Sequence, residues 1–397
     1  MIFDEFGSLL SRICSHSPLA AGRPLVWTII TNPYAGGFTI KSRWKKHYAS
    51  LLDCVQRAEK NPLREGRPSD TALGQGGDTG SLGLIPTRAA GHAGELTSLL
   101  IKEAEGGLRT AVSNNKARPF YLIITAGGDG TSLEVLTSLY HAAPDVRENF
   151  VVLRLPMGTG NDGSDPLSAF GGDKVRSMKE PAISAEAWGL DKALNLLIAP
   201  AELIKQRALM LKTSSGKGPF LAFNILSVGL DAFVTHMTNK MKGKLPGDSY
   251  KLWVDIASLL YDRIYKVGYM DVRSIDDAGK EVKAFREKIL LLAVGESGRR
   301  TYGSHKWIVP DSRNVCALKQ MSVFRKIALK ELFAYGTHID KPEAMLWNAR
   351  SVEFSSQFPL LAQMDGETVL LKDGDFPATI ELSEPVIPIL KSSLPTS

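Results

Sequence analysis

The sequence predicts an α/β protein in two parts. The first is an N-terminal doubly wound parallel-sheet domain; the second is a C-terminal β-rich domain, antiparallel and sandwich-like. Three observations predict this. Short apolar strands alternate with helical spacing up to residue 156, the pattern of a parallel sheet covered on both faces. Glycine-rich loops follow three of those strands. Beyond residue 220 the helical spacing gives way to strands joined by polar turns. At 397 residues the chain also exceeds one ordinary domain.

The elements follow in order. "LVWTII" (25–30) is a short β-branched and aromatic run stopped by "TNPYAGG" (31–37), which reads as a buried strand and its loop. Residues 41–60 are basic, with Trp44, Tyr48, Leu51, Leu52 and Val55 at helical spacing. Residues 61–83 are rich in Gly, Pro, Ser and Asp and cannot bury enough apolar area to offset chain entropy, so a mobile insert is expected there. "LGLIPT" (82–87) reads as a second strand and 90–104 as a helix with Leu96, Leu99, Leu100 and Ala104 on one side. "FYLIITA" (120–126) is a third strand, followed by a helix through Leu133, Val135, Leu136 and Leu139. "NFVVLRLP" (149–156) is a fourth. In the second half, strands are expected at 220–229, 288–295, 351–356, 360–371 and 378–383, with a helical stretch near 249–265. The expected domains are therefore 22–168, with the insert at 61–83, and 169–382; residues 383–397 return toward the first.

Composition narrows the function classes. With 44% hydrophobic and 23% charged residues the chain reads as soluble and globular. A net charge of +6 favours anionic ligands or an anionic membrane surface but is too mild to argue for nucleic acid. Cys14, Cys54 and Cys316 form no CxxC and are too few for a disulfide framework. The start "MIFDEFGSLL" carries acids where a signal peptide needs basic residues, and no run approaches the roughly 18 apolar residues of a membrane span. The expectation is a cytoplasmic protein that meets lipid, if at all, from the surface. The seven histidines include no HxxxH, which argues against zinc.

Two near-anagrams could hold phosphate. "GQGGDTG" (74–80) has no strand before it and no helix after it, so its glycines mean flexibility alone. "AGGDGTS" (126–132) sits between strand and helix. There Gly127, Gly128 and Gly130 let the backbone turn and approach an anion closely, and the helix N-terminus supplies unpaired N–H groups and partial positive charge. Asp129 beside a phosphate requires Mg²⁺ or a ligand hydroxyl between them; a plain turn with Asp129 or Thr131 as N-cap is the alternative. "LPMGTGNDGSD" (155–165) matches G-x-G-x-x-G at Gly158, Gly160 and Gly163, but Pro166 follows at once. It reads better as another ligand loop at a strand's carboxyl end, where Thr159, Asn161 and Asp162 offer hydroxyl, amide and carboxylate. Late in the chain "MDGE" (364–367) sets Asp365 and Glu367 two apart, on one face if the segment is a strand, where paired carboxylates suit proton transfer. A solvated hairpin turn is the alternative. His92 is placed at a helix start, "NKMKGK" (239–244) in a solvated loop or against anionic headgroups, and Arg299 and Arg300 near phosphate.

In order, N-P-x-A-G from Asn32, G-G-D-G-T from Gly127, P-x-G-T-x-N-D from Pro156, "FNILSVGLDA" (223–232) and D-G-E resemble the diacylglycerol kinase catalytic domain family. That family includes soluble lipid kinases and sphingosine kinases and is distantly related to NAD kinases. The resemblance implies an ATP- and Mg²⁺-dependent kinase acting on a lipid hydroxyl, diacylglycerol-like or sphingoid, with its active site in a cleft between the two domains. It implies that Gly127, Gly128, Asp129, Gly130, Thr131, Ser132, Leu133 and Thr159 bind ATP, with Thr87 a further contact and Asn32, Gly158, Asn161 and Asp162 in the neighbouring loops. Glu367 would be the general base, with Asp129 second in line for that role. Asp365 would assist through Mg²⁺ or orientation, Asp129 would face the ATP-bound metal, and Asp231 would line the acceptor site. One departure stands out: the family's structural-Mg²⁺ acids fall on Val315 and Cys316, which cannot bind that ion, so this site is expected to be absent. An NAD kinase-like enzyme and a non-catalytic nucleotide- or lipid-binding protein remain alternatives. Expected partners are ATP and a lipid at a membrane surface, not nucleic acid; the oligomeric state, a homodimer included, stays open.

Overall fold

The computed structural model describes residues 2–19, 23–60, 83–158, 161, 163, 189–199, 201–241, 259, 261–302, 306–330 and 332–392. The insert at 61–82, Thr159, Asp162 and most of 242–260 lie outside the described residues. The chain divides into two compact units. The first comprises Met1–Asp173, Ala185–Gln206 and Val386–Ser397; the described part of the second is Arg207–Pro385.

The first unit begins with α1 (Ile2–Ser15), β1 (Leu25–Thr31), the single turn α2 (Gly36–Thr39), α3 (Lys41–Glu59), β2 (Gly83–Pro86) and α4 (His92–Ser113). β3 (Phe120–Gly127), α5 (Asp129–His141), the single turn α6 (Pro144–Arg147), β4 (Phe150–Pro156), α7 (Leu190–Ile198) and β5 (Ala201–Gln206) follow. Strands β2, β1, β3 and β4 are parallel neighbours in that order. The C-terminal strand Ile387–Ser392 extends the sheet beside β4, and β5 pairs antiparallel with it at the edge. β4 is buried along its whole length and β3 almost so, because helices lie on both faces. The core joins Ile29, Leu122, Ile124, Val151 and Leu153 to Phe6, Leu10 and Ile13 of α1, Leu51 and Val55 of α3, and Leu194 and Leu197 of α7. Thus Leu190–Gln206, grouped with the second domain on sequence, belongs to the first unit: the apolar stripe of α7 packs there and β5 completes the sheet edge.

The second unit is mainly antiparallel. It contains β6 (Leu209–Thr213), β7 (Phe220–Ala222), β8 (Ile225–Gly229), α8 (Leu230–Met241), β9 (Tyr269–Ile275), β10 (Glu281–Gly295), β11 (Arg300–Tyr302), β12 (Lys306–Val309) and β13 (Val315–Lys319). β14 (Ala344–Trp347), β15 (Ser351–Ser356), β16 (Leu360–Met364), β17 (Glu367–Leu371) and β18 (Ala378–Leu382) complete it. The large sheet runs β17-β16-β8-β10-β9-β15-β18-β6-β7, with β13 and β14 branching from β10. Long β10 joins the two parts of the sheet: its first half pairs with β9 and its apolar second half with β8 and β13. α8 runs through Asn239, Lys240 and Met241, so the start of "NKMKGK" is helix rather than loop. Of the expected 249–265 helix, Tyr261–Ile264 is a described turn.

One contact here sets an acid limit. The Asp375 carboxylate accepts the Ser215 hydroxyl at 2.5 Å, the Lys372 amide at 2.8 Å and the Lys217 ammonium at 2.9 Å. The Ser215 bond first, then the amide and Lys217, push its pKa from 3.8 down to about 2. A lowered pKa stabilises the fold fully above the unfolded value, and that stabilisation is lost as pH falls through the folded one. The second unit should therefore lose melting temperature between pH 3.8 and about 2. Ser215→Ala should flatten that acid limb in a calorimetric pH series; an unchanged slope would contradict the assignment.

Candidate active site

Parallel pairing brings four loops of the first unit to one sheet edge. The strand ends are in register, Thr31 beside Pro86 and Ala126, and Gly127 beside Pro156. Backbone bonds carry the order one residue further: Thr87 N–H donates to Thr31 at 2.7 Å, and Asn32 N–H to Ala126 at 2.9 Å. The structure thus assembles Asn32, Thr87, Gly127 to Leu133, Gly158 and Asn161 at the carboxyl ends of β1 to β4.

The glycines there are steric requirements. A Cβ on Gly127 would lie 2.7 Å from Thr131 Oγ1 and 3.2 Å from Asn32 Cβ. A Cβ on Gly158 would lie 2.5 Å from Gly128 Cα and 2.9 Å from Asn161 Oδ1. Asn161, at φ 56°, closes its own loop: Gly158 N–H donates to its Oδ1 at 2.7 Å, and its Nδ2 donates to Gly158 O at 2.8 Å. The β3 and β4 loops are also tied together by a backbone-to-side-chain bond, Gly163 N–H donating to Asp129 Oδ1 at 3.2 Å. α5 starts at Asp129 with no side-chain cap, so neither Asp129 nor Thr131 acts as the N-cap. A helix start built on glycine directs backbone amides and the positive end of the helix dipole toward these loops, which suits phosphate. Behind it, Thr125 and Ser132 share a buried hydroxyl bond of 3.0 Å that fixes the turn.

A second helix start is already filled. α4 opens at His92, where Glu134 accepts the amides of Gly91 at 2.7 Å and Ala93 at 3.0 Å. That carboxylate would repel phosphate, and His92 Nδ1 instead accepts the Arg88 amide at 3.1 Å.

In the second unit, Asp365 and Gly366 form the two-residue turn between β16 and β17, with φ 44° and 105°. Positive φ at both positions is the hairpin geometry that Asp-Gly favours. The two acids therefore flank a bend instead of sharing a strand face. Asp365 is buried and accepts the backbone amides of Phe223 at 2.5 Å, Asn224 at 3.1 Å and Ile225 at 2.9 Å. It ties "FNI" to the hairpin, which suits an orienting role better than metal ligation. Glu367 opens β17 and is exposed. Alongside, Asn239 Nδ2 donates to Gly366 O at 2.7 Å, and His236 Nδ1 lies 3.2 Å from Thr368 Oγ1. Asp231, in the first turn of α8, is buried; that burial raises its pKa, partly offset by Ser227, Lys306 and Gln363. Asp365→Ala should destabilise the second unit by on the order of 3 kcal/mol or more, since it strands three amides. Urea unfolding checks this, and a loss under about 1 kcal/mol would remove the structural role.

Other candidates fall elsewhere. Arg300 is buried in an ion pair with Glu296 at 2.9 Å and is not available to phosphate. Val315 and Cys316 lie inside β13, where burial pushes the Cys316 thiol up to about 12. Among the described residues no group of three or more His, Cys, Asp or Glu could hold a metal ion. Sequence reasoning missed Glu134, Asn239 and Gln363; a lone glutamine in the apolar run "LLAQM" was the available signal for the last.

The comparisons agree with this architecture. Residues 84–183 match the family model of the diacylglycerol kinase catalytic domain. Two solved structures of candidate diacylglycerol kinases from Bacillus anthracis str. Sterne superpose with TM-scores of 0.50 each at 16% identity. They cover 93% and 94% of this chain and 98% of their own; at that identity they establish the fold. No curated protein matches in sequence. Residues 84–183 thus resemble a diacylglycerol kinase catalytic domain, and the chain shares the overall fold of these two structures. No described helix is long and apolar enough to cross a membrane.

Proposed function

We propose that this protein is an ATP- and Mg²⁺-dependent kinase that transfers the γ-phosphate to a lipid hydroxyl, diacylglycerol-like or sphingoid. The observation that carries this is the glycine-built strand-to-helix turn at Gly127–Thr131, packed against Gly158 inside the segment that matches the kinase family model. A side chain at either glycine would fill the space, as expected where a backbone must approach phosphate. Asn32, Thr87, Ser132, Leu133, Thr159, Asn161 and Asp162 complete the nucleotide loops in this proposal.

Mg²⁺ favours hard oxygen ligands and keeps several waters. Asp129 would face the ion, which would be held mainly by ATP's own oxygens and would neutralise charge on the phosphates. Because phosphoryl transfer has a loose transition state, the protein's tasks are positioning and charge stabilisation. Glu367 takes the lipid hydroxyl's proton and points the oxygen at phosphorus, while Asp231 lines the acceptor site. The lipid is met at a membrane surface by a cytoplasmic, peripherally bound enzyme.

The test is labelled ATP with a total lipid extract and, in parallel, NAD. Label in a lipid species supports the proposal; label only in NAD makes the protein an NAD kinase, and ATP binding without transfer makes it a binding protein.

A further inference from the structure

Gln363 lies in the middle of a polar chain that no motif describes. It sits in β16, is fully buried, and reaches both halves of the acceptor machinery. Its Oε1 accepts the Gly366 amide at 3.2 Å, at the turn that delivers Glu367. Its Nε2 donates to Ser227 Oγ at 3.0 Å and to Asp231 Oδ2 at 3.3 Å. Ser227 in turn donates to the same Asp231 oxygen at 2.6 Å, and Asp231 Oδ1 takes neither bond.

Hydrogen-bond chemistry allows only one orientation of this amide. A backbone N–H can only donate, so the end facing Gly366 must be the carbonyl oxygen. The NH₂ end must then face Ser227 and Asp231; the reverse would oppose two donors at the turn and two acceptors at the carboxylate.

We propose that Gln363 is a positioning residue for the phosphoryl acceptor, locking the Asp231 carboxylate in place and holding the Asp365–Gly366 turn that carries Glu367. This rests on the lipid-kinase proposal for its consequence but not for its geometry. The alternative, a core polar bridge with no functional coupling, makes different predictions.

Gln363→Met keeps length and apolar bulk and removes every bond, whereas Gln363→Glu keeps an acceptor for Gly366 and, once ionised, removes both donors; burial beside Asp231 favours its protonated form, so its turnover is read at alkaline pH. With diacylglycerol or sphingosine as acceptor, Gln363→Met should lower lipid kcat/KM by about ten- to a hundredfold and leave KM for ATP within about twofold. In an Asp231→Asn background the same change should cost less than a third of that factor, because the oriented carboxylate is already gone. Full additivity, or an equal rise in KM for ATP, overturns the inference.

Amide hydrogen exchange supplies a readout that needs no activity. Gly366 should lose protection in Gln363→Met and keep it in Gln363→Glu, while both variants lose lipid turnover. Unchanged Gly366 protection in Gln363→Met, or a Gln363→Glu enzyme as active as the parent, overturns it. If Gln363→Met does not fold, Gln363→Glu carries the test. If the parent phosphorylates no lipid, the kinase proposal fails, and the exchange pattern alone still decides whether Gln363 bridges the two elements.

Discussion

Glu367→Gln should lower lipid-dependent phosphoryl transfer by about 10²–10⁴-fold, the usual contribution of a positioned general base. The substitution keeps size and shape and removes only the capacity to take a proton. Glu367 is exposed at the start of β17, and its neighbours across the turn are held by Asp365, Asn239 and Gln363. Melting temperature and ATP affinity should therefore stay at parental values. Single-turnover transfer from ATP to diacylglycerol or sphingosine measures the effect. If the variant turns over lipid at the parental rate, Glu367 is not the base, and Asp129 becomes the group to test.

Gly158→Ala should weaken ATP binding by about ten- to a hundredfold. The added Cβ would meet Gly128 Cα at 2.5 Å and Asn161 Oδ1 at 2.9 Å. The backbone atom cannot rotate away, so the β4 loop must move off the β3 loop. Overpacking of this kind costs roughly 1–3 kcal/mol, and each 1.4 kcal/mol is a tenfold change in affinity. Gly106→Ala is the control: it lies inside α4 with open space around its Cβ, and should leave ATP affinity unchanged while raising helix stability by about 0.5–1 kcal/mol. Titration calorimetry with ATP compares the two. Equal affinities would show that the interlocked glycines do not shape a nucleotide site.

The legible parts of this molecule are those dictated by local rules. The four parallel strands of the first unit announce themselves as apolar runs, since both faces of the sheet are covered and almost no position along β3 and β4 needs a polar residue. The strand-to-helix bend at Gly127–Thr131 is visible because glycines there do steric work between two recognisable elements. The D-G-E turn is legible as a motif but not as a geometry: strand periodicity places Asp365 and Glu367 on one face, whereas two positive φ angles turn Asp365 inward and leave Glu367 outside. What stays hidden depends on long-range pairing. Asp365 meets its three amides some 140 residues upstream, and α7 and β5 join the first unit because of where the C-terminal strand lies. Gln363 carries no spacing signature, since its partners belong to β8, α8 and a turn.

Amide hydrogen exchange with and without ATP·Mg²⁺ tests the central claim most directly. The account predicts added protection concentrated at residues 127–133 and at Gly158 and Asn161, with α4's filled N-terminus at Gly91–Ala93 unaffected. Protection confined to other segments, or none at the start of α5 under saturating nucleotide, would contradict it.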